Sequence, residues 1–329
     1  MISPDSIFNT NEQENFLRLS IEIFHYQYNH IPVYQQFVNL LGVNAQTIST
    51  LEEIPFLPIE FFKLYPILDN DGQGPHEIIF SSSGTTGTQT SKHYVRSLKL
   101  YERSFLEGFE AFYGNIEDYV LLALLPSYLE RDGSSLIYMV QKLIQKGGQK
   151  ESGFYLDDLE KLMKALTQLK HQGRKTILMG VTYALLDFVE KFPDFEFPEL
   201  IIMETGGMKG KRKEMVREEL HARLKSHFKT SSIHSEYGMT ELLSQAYSKG
   251  NGIFYTPSWM KVLIRETTDP YSMAGFEKAG GINIIDLANI HSCSFLSTQD
   301  LGKLHKDGGF EILGRFDNSD IRGCNLLVD

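Results

Sequence analysis

The hydrophobic pattern changes character once along the chain. Up to about residue 250, short apolar runs at 76–81, 120–125, 176–179, 200–203 and 232–234 read as strands. Between them, apolar residues return every three or four positions over 97–112, 134–146, 157–171, 183–191 and 211–225, the period of amphipathic helices. This alternation predicts an α/β fold with a mostly parallel sheet covered by helices. Nearer the N-terminus, Thr10-Asn11-Glu12-Gln13 resembles a capping box and opens a helix with Phe16, Leu19 and Ile23 on one face. Pro55, Pro58, Pro66 and Pro75 break residues 45–80 into extended segments that wrap the domain. From about residue 251 the pattern shortens to β-rich runs at 260–265, 281–286, 294–297 and 310–313 with glycines between them. These predict an antiparallel sheet or small barrel packed on the α/β part. No internal repeat, low-complexity linker or division into two independent domains is visible.

At 329 residues with 42% apolar and 22% charged residues, the chain can hold a large core as one big domain or two. Its formal charge of −10 argues against a general nucleic-acid binder, whose surface should be basic. The dense basic patch, Lys209, Lys211, Arg212 and Lys213, runs straight into Glu214, Glu218 and Glu219, and reads as a solvated helix start or an anion contact. The N-terminus lacks the basic and apolar regions of a signal peptide. The most apolar stretch, YVLLALLP at 119–126, is too short to span a bilayer and reads as a buried strand, so no transmembrane segment is expected. Two cysteines without a secretory signal point to a reducing, cytoplasmic setting without a disulfide framework. No Cys/His cluster has zinc spacing. The stretch beginning Asp69-Asn70-Asp71-Gly72 opens like a calcium loop, but its twelfth position is Phe80, so it reads as a turn.

Two strings carry chemistry. Phe80 is followed by Ser81, Ser82, Ser83, Gly84, Thr85, Thr86, Gly87, Thr88, Gln89, Thr90, Ser91 and Lys92. Glycines let the backbone approach an anion closely, successive N–H groups form a phosphate nest, and the hydroxyls and lysine add donors and charge. The alternative is a flexible Ser/Thr loop. It is not a Walker A loop, because the second glycine and the Lys-Ser/Thr pair of that motif are not in place and position 89 is Gln. The second string is Glu236-Tyr237-Gly238-Met239-Thr240-Glu241. It reads either as a strand-to-helix turn with Thr240 as N-cap, or as an aromatic face, a hydroxyl and a carboxylate. A carboxylate near phosphates is a natural Mg²⁺ anchor.

In this order the two strings resemble the adenylate-forming superfamily of acyl- and aryl-CoA ligases, luciferase-like enzymes and peptide-synthetase adenylation domains. Thr205-Gly206-Gly207 stands where that family places a glycine turn along the adenine pocket. Gln299-Asp300-Leu301-Gly302 resembles its ribose-binding segment, and Gly314-Arg315-Phe316-Asp317 its hinge. The narrower resemblance, through Leu125-Pro126-Ser127-Tyr128-Leu129-Glu130-Arg131, Ile54-Pro55-Phe56-Leu57-Pro58 and the short C-terminus, is to the acyl-protein synthetase (LuxE-like) family. That family implies adenylation of a long-chain fatty acid by ATP, a thioester on a cysteine near the C-terminus, and delivery to a partner acyl reductase.

The resemblance implies an adenylate-forming domain over 1–314 with a β-rich subdomain at about 251–314. A truncated hinge and tail with Cys324 would follow at 315–329, without the small C-terminal lid domain and its catalytic lysine. Lys92, His93, Arg96 and Arg315 are candidate cations in that lysine's place. Ser82–Thr88, Gly206, Gly207, Tyr237, Gly238, Asp300 and Arg315 would hold ATP, with Tyr237 against adenine and Asp300 on the ribose. Glu241 would hold Mg²⁺ beside Thr240. Cys324, two residues after Arg322, is either the acyl-carrying nucleophile or a packed tail residue. Cys293, within Cys293-Ser294-Phe295-Leu296, reads as a buried small hydrophobe. His234 either faces the site or is a satisfied strand histidine. Tyr128, Leu129, Met179 and Tyr183 lie near strand ends that could line an apolar acyl pocket. Two other readings stay open: an acyl- or aryl-CoA ligase using free CoA, and a non-catalytic nucleotide-binding scaffold.

Overall fold

Hydroxyl and carboxylate side chains set many of the helix starts, and apolar spacing sets which face they bury. The computed structural model describes residues 2–10, 13–70, 75–82, 89–126, 133–156, 158–206 and 215–316. Ser3 caps α1 (Pro4–Phe8), and α2 (Gln13–His30) buries Phe16, Leu19 and Ile23 as their spacing requires. Asn11 and Glu12 of the expected capping box lie outside the described residues. Pro32 starts α3 (Pro32–Leu40). The proline-broken segment then runs through β1 (Leu57–Pro58) and α4 (Phe61–Leu64), pinned where the Tyr34 hydroxyl donates to Pro55 O at 2.7 Å. A hairpin of β2 (Ile78–Ser81) and β3 (Lys92–Val95) carries the hydroxyl-rich loop at its tip.

Ser97 caps α5 (Leu98–Tyr113), which leads to β4 (Val120–Leu124), the centre of the most apolar run and buried at every position. Ser134 caps α6 (Ser135–Gly147) before β5 (Gly153–Phe154), and Asp158 caps α7 (Leu159–His171) before β6 (Thr176–Val181). Then come α8 (Thr182–Lys191), β7 (Ile201–Thr205), α9 (Arg217–Phe228), β8 (His234–Tyr237) and β9 (Ala246–Ser248). These strands form one sheet in the order β5-β4-β6-β7-β8-β9, parallel throughout except for β9. Chain order reverses between β4 and β6. In such sheets that reversal opens a crevice at the carboxyl ends of the strands.

Two elements begin later than their spacing suggests. The helix expected over 211–225 starts at Arg217, because Val216 is extended and the apolar face is set by Leu220, Leu224 and Phe228. Of its basic patch, Lys209, Lys211, Arg212 and Lys213 lie outside the described residues, as does Glu214. The strand expected at 232–234 runs instead from His234 to Tyr237, paired to β7 on one side and β9 on the other. The first half of the Tyr-Gly motif therefore lies inside a sheet.

The last part of the chain is antiparallel, as the shorter β-rich runs predict. It comprises β10 (Ile253–Phe254), β11 (Met260–Arg265), β12 (Ala279–Asp286), β13 (Phe295–Leu304) and β14 (Phe310–Arg315), in the sheet order β10-β14-β13-β12-β11. β1 adds to it in parallel along β13. At Gly302 the β13–β14 register shifts, and a Cβ there would stand 2.6 Å from Glu311 O, so only glycine lets the two strands close beside Asp300. One continuous apolar core underlies both sheets. Among the described residues no helix is long and apolar enough to cross a membrane.

Candidate active site

Three of the residues singled out in the sequence meet at the carboxyl end of β8. Tyr237 closes that strand, and its hydroxyl donates to Asp300 Oδ2 on β13 at 2.7 Å. Asp300 is buried, and directly across the β13–β14 pair Arg315 Nε donates to its other oxygen at 3.0 Å. The Arg315 side chain is nonetheless 78% exposed, so a cation is held at the surface beside a buried acid. The Tyr237 ring packs edge-on to Phe254 and Phe310, and burial, then the neighbouring Asp300, pushes its phenol far above the ordinary range. Next door, Gly206 follows β7 with φ +66°, a conformation glycine adopts without strain, and the Thr182 hydroxyl donates to its carbonyl at 2.8 Å. Gly207 lies outside the described residues.

Beyond Tyr237 the chain does not enter a helix, so Thr240 is not an N-cap. It turns through exposed Gly238, half-buried Thr240 and buried Glu241 back into β9. The reason is Asp286, fully buried at the end of β12. Its carboxylate accepts the N–H groups of Leu243 (2.8 Å) and Ser244 (3.0 Å) and the Ser244 hydroxyl (2.5 Å), whereas a helix capped at Thr240 would need the Ser244 N–H for Thr240 O. Glu241 is buried at the base of this turn. Burial pushes its carboxyl up, while a hydrogen bond from Ser91, its own N–H, and the charges of Lys63 and Arg315 pull it back. One buried carboxylate facing two cations and a Ser/Thr loop suits a Mg²⁺ ion that takes its remaining ligands from phosphate and water. Among the described residues no group of three or more potential metal ligands exists.

The hairpin brings the hydroxyl-rich loop to the same place. Ser82 N–H donates to Ser91 O at 3.0 Å, and Ser91 N–H donates to Ser82 Oγ at 2.9 Å, closing the loop's base. Ser83, Gly84, Thr85, Thr86, Gly87 and Thr88 lie outside the described residues. So do Cys324 and the rest of 317–329, and Tyr128 and Leu129.

The four candidate cations separate. Lys92 is exposed and, by strand alternation, faces away from the side on which His93 is buried. His93 Nδ1 lies 2.8 Å from Thr240 O and Nε2 3.0 Å from Asn289 Oδ1, and burial pulls its imidazole down to about 4. Arg96 is committed to buried Asp69 at 2.6 Å, an acid that also contacts Tyr26 (2.6 Å) and His291 (2.7 Å). Of the four, Arg315 is the one that stands beside Asp300 and Glu241. Lys63, which no motif marks, joins it: it is exposed on α4, and Gln89 from the loop's end donates to its carbonyl at 2.5 Å.

Other expectations resolve simply. Cys293 is a core residue, 0% exposed, with its thiol pushed up to about 12 by burial. His234 is at the amino end of β8, away from Tyr237, and is satisfied by Tyr113 Oη at 3.1 Å; burial lowers it to about 4. Met179 and Tyr183 are buried where β6 meets α8, beside the point where chain order reverses between β4 and β6. A residue not singled out for its acid is Glu236, inside β8. Burial, with Glu204 nearby, raises it to about 7 although the Thr205 hydroxyl donates to it at 2.5 Å. A cleft of about 530 Å³ between the far ends of α8 and α9 lies at the amino edge of the strands, and its Arg223 is paired with Glu190.

No protein-family model matches the sequence, and no curated protein does. Among solved structures, an open conformation of 2-hydroxyisobutyryl-CoA ligase in complex with 2-HIB-AMP and CoA is similar over 93% of this chain and 70% of its own, with a TM-score of 0.65 and 12% identity. ATP-bound MatB from Rhodopseudomonas palustris is similar over 74% of this chain, with a TM-score of 0.56 and 16% identity. An ATP-bound RpMatB-BxBclM chimera gives a TM-score of 0.57 at the same identity. The chain spans about half the length of the MatB structures it matches, 49% of each. At these identities the likeness is one of fold, and the fold is the one these ligases share.

Proposed function

We propose that this chain is an ATP-dependent ligase that converts a carboxylic acid to its acyl-adenylate at the carboxyl edge of the parallel sheet. The observation that carries the reading is the cluster of Tyr237, Asp300 and Arg315 directly beside the Thr240–Glu241 turn. Asp300 is positioned to accept ribose hydroxyls and Tyr237 to lie against the base, while the Ser82–Thr88 loop, of which only Ser82 is among the described residues, would surround the phosphates. The fold shared with an ATP-bound structure and an acyl-AMP-bound structure supports nucleotide binding and adenylate formation by this chain.

The chemistry follows from what a carboxylate lacks. It is a poor electrophile, so its oxygen first attacks the α-phosphorus of ATP. That P–O bond forms, the bond to the β-phosphate bridging oxygen breaks, and pyrophosphate leaves. The chain's part is positioning and charge neutralisation. Arg315 and Lys63 place positive charge around Glu241, and Glu241 would hold Mg²⁺, which when bound offsets negative charge on the phosphate oxygens. The acyl group would enter the β4–β6 crevice beside Met179 and Tyr183.

Within that class we favour an acyl-protein synthetase. The Cys324 thiolate would attack the adenylate's carbonyl, AMP would leave, and the thioester would pass to a partner acyl reductase. The acid would then be a long-chain fatty acid and the setting cytoplasmic. A second reading is supported by the CoA held in the hydroxyisobutyryl ligase: the acyl acceptor is free CoA and Cys324 is idle. One experiment separates them. Pure protein is incubated with ATP, Mg²⁺ and a radiolabelled fatty acid, without CoA. A hydroxylamine-sensitive protein label lost in Cys324→Ala is the expected result. Pyrophosphate release with no protein label favours the CoA ligase. No pyrophosphate release with any acid, with or without a reductase, leaves a nucleotide-binding scaffold.

A further inference from the structure

We propose that His93 and Asn289 are positioning residues that grip the Thr240–Glu241 turn by its two peptide carbonyls and so fix its hydroxyl and carboxylate toward the nucleotide. The inference rests on the ATP-binding reading above and adds to it the device that aligns the site. His93 Nδ1 reaches Thr240 O at 2.8 Å, and Asn289 Nδ2 donates to the next carbonyl, Glu241 O, also at 2.8 Å. Asn289 Nδ2 donates as well to Cys293 O at 2.9 Å, which leaves its Oδ1 to face His93 Nε2 at 3.0 Å. The two side chains and the two carbonyls thus form a closed set, and both side chains are 1% exposed.

Packing alone does not call for these residue types. An imidazole and an amide buried together lose their water and gain only what their few partners return, whereas apolar residues of similar size would fill the space without that cost. What the pair supplies is direction. Its own place is set independently of the turn. Asn289 O and Ile290 O accept from Gln27 Nε2 of α2 at 3.0 and 2.9 Å. His93 is held by the β2–β3 pairing opposite Phe80 and by the edge-on ring of Phe62. Behind the turn, Asp286 takes the following N–H groups. Carbonyls drawn inward and amides drawn inward further along leave the Thr240 and Glu241 side chains little freedom.

The grip also sets one part of the site against another. His93 follows Ser91 and Lys92 directly out of the hydroxyl-rich loop, and Ser91 hydrogen-bonds the Glu241 carboxyl. One strand therefore fixes both the end of that loop and the turn that would hold Mg²⁺. Both ring nitrogens face oxygen acceptors and a neutral imidazole carries one N–H; here it is assigned to Nδ1, on the shorter contact, with Thr240 O accepting.

Amide replacements test this atom by atom. Asn places its nitrogen near Nδ1, and Gln places its nitrogen near Nε2. Titration calorimetry with MgATP, and with ATP in EDTA, would be run on the wild type, His93→Asn, His93→Gln and Asn289→Asp, each with its melting temperature. We expect His93→Gln and Asn289→Asp to bind MgATP at least about ten-fold more weakly, and His93→Asn to stay within about three-fold of wild type. Metal-free ATP should bind all four alike. A side chain that only fills space would make Gln, the closer in size, the better replacement. Folded variants that bind MgATP as wild type does, or a Gln variant at least as good as Asn, would overturn the proposal while leaving the ATP site in place. If a His93 variant does not fold, Asn289→Asp decides the question by the same measure. A wild type that binds no MgATP removes the reading itself.

Discussion

The Tyr237 hydroxyl and the Asp300 carboxylate meet at 2.7 Å across the junction of the parallel and antiparallel sheets. The contact ties the carboxyl end of β8 to the strand that carries the ribose candidate. Because both groups are buried, removing either partner leaves the other without its bond, at a cost of about 1–3 kcal/mol. Tyr237→Phe and Asp300→Asn should therefore be non-additive in a double-mutant cycle, with a coupling of roughly 1 kcal/mol in urea unfolding. Asp300→Ala should also weaken MgATP binding more than about ten-fold. Strictly additive unfolding energies would mean the contact does not join the sheets.

Glu241 separates stability from activity. Burial raises its carboxyl, so the charged form is held at a cost that Ser91, Lys63 and Arg315 only partly offset. Glu241→Gln keeps the shape and removes the charge. The variant should melt at the same temperature or higher, yet lose Mg²⁺-dependent pyrophosphate release by about a hundred-fold or more. Retained pyrophosphate release would show that the carboxylate is not the metal anchor. Lys63→Met should lower the same rate less, by about ten-fold, because Arg315 remains.

Glu236 should give the chain an unusual pH slope. Its folded carboxyl keeps its proton up to about pH 7, whereas the ordinary value is 4.5. The folded state therefore binds more protons between those values, and rising pH favours the unfolded chain. The stability this group confers is complete below 4.5, is lost as pH rises toward about 7, and changes no further above it. Glu236→Gln can still accept from the Thr205 hydroxyl and removes that loss. It should match the wild type near pH 4 and exceed it above about pH 7 by up to roughly 3 kcal/mol. Urea midpoints at the two pH values check this; parallel pH profiles for the two proteins would mean Glu236 is not the group responsible.

What was legible in the sequence was what local pattern can carry. The run at 260–265 has the bounds of β11, and Phe16, Leu19 and Ile23 are buried as their spacing requires. The central strand β4 stands out because nothing polar interrupts it. Asp300 and Tyr237 could be singled out because each sits in its own short motif, but their bond joins residues far apart in sequence. Asn289, Asp286 and Lys63 carry no local signal at all: each matters through what the fold sets against it. His93 and Arg96 failed as free cations for the same reason. A sequence shows that a residue can carry charge, not that Thr240 O or Asp69 already occupies it.

The two cysteines should behave oppositely in the folded protein. Cys293 is fully buried, its Sγ donates to Phe295 O at 3.3 Å, and burial pushes its thiol up to about 12. At about pH 8 its thiolate population is then roughly one part in ten thousand, and alkylating reagents have no path to it. Iodoacetamide followed by peptide mapping should leave Cys293 unmodified until denaturant is added. The acyl group trapped in the labelling experiment should accordingly map to the peptide containing Cys324. Cys293→Ala should keep the label while unfolding at lower urea, because it removes a packed sulfur and costs about 1 kcal/mol. An acyl label on the Cys293 peptide, or fast alkylation of Cys293 in the native state, would contradict the buried placement and reopen which thiol carries the acyl group.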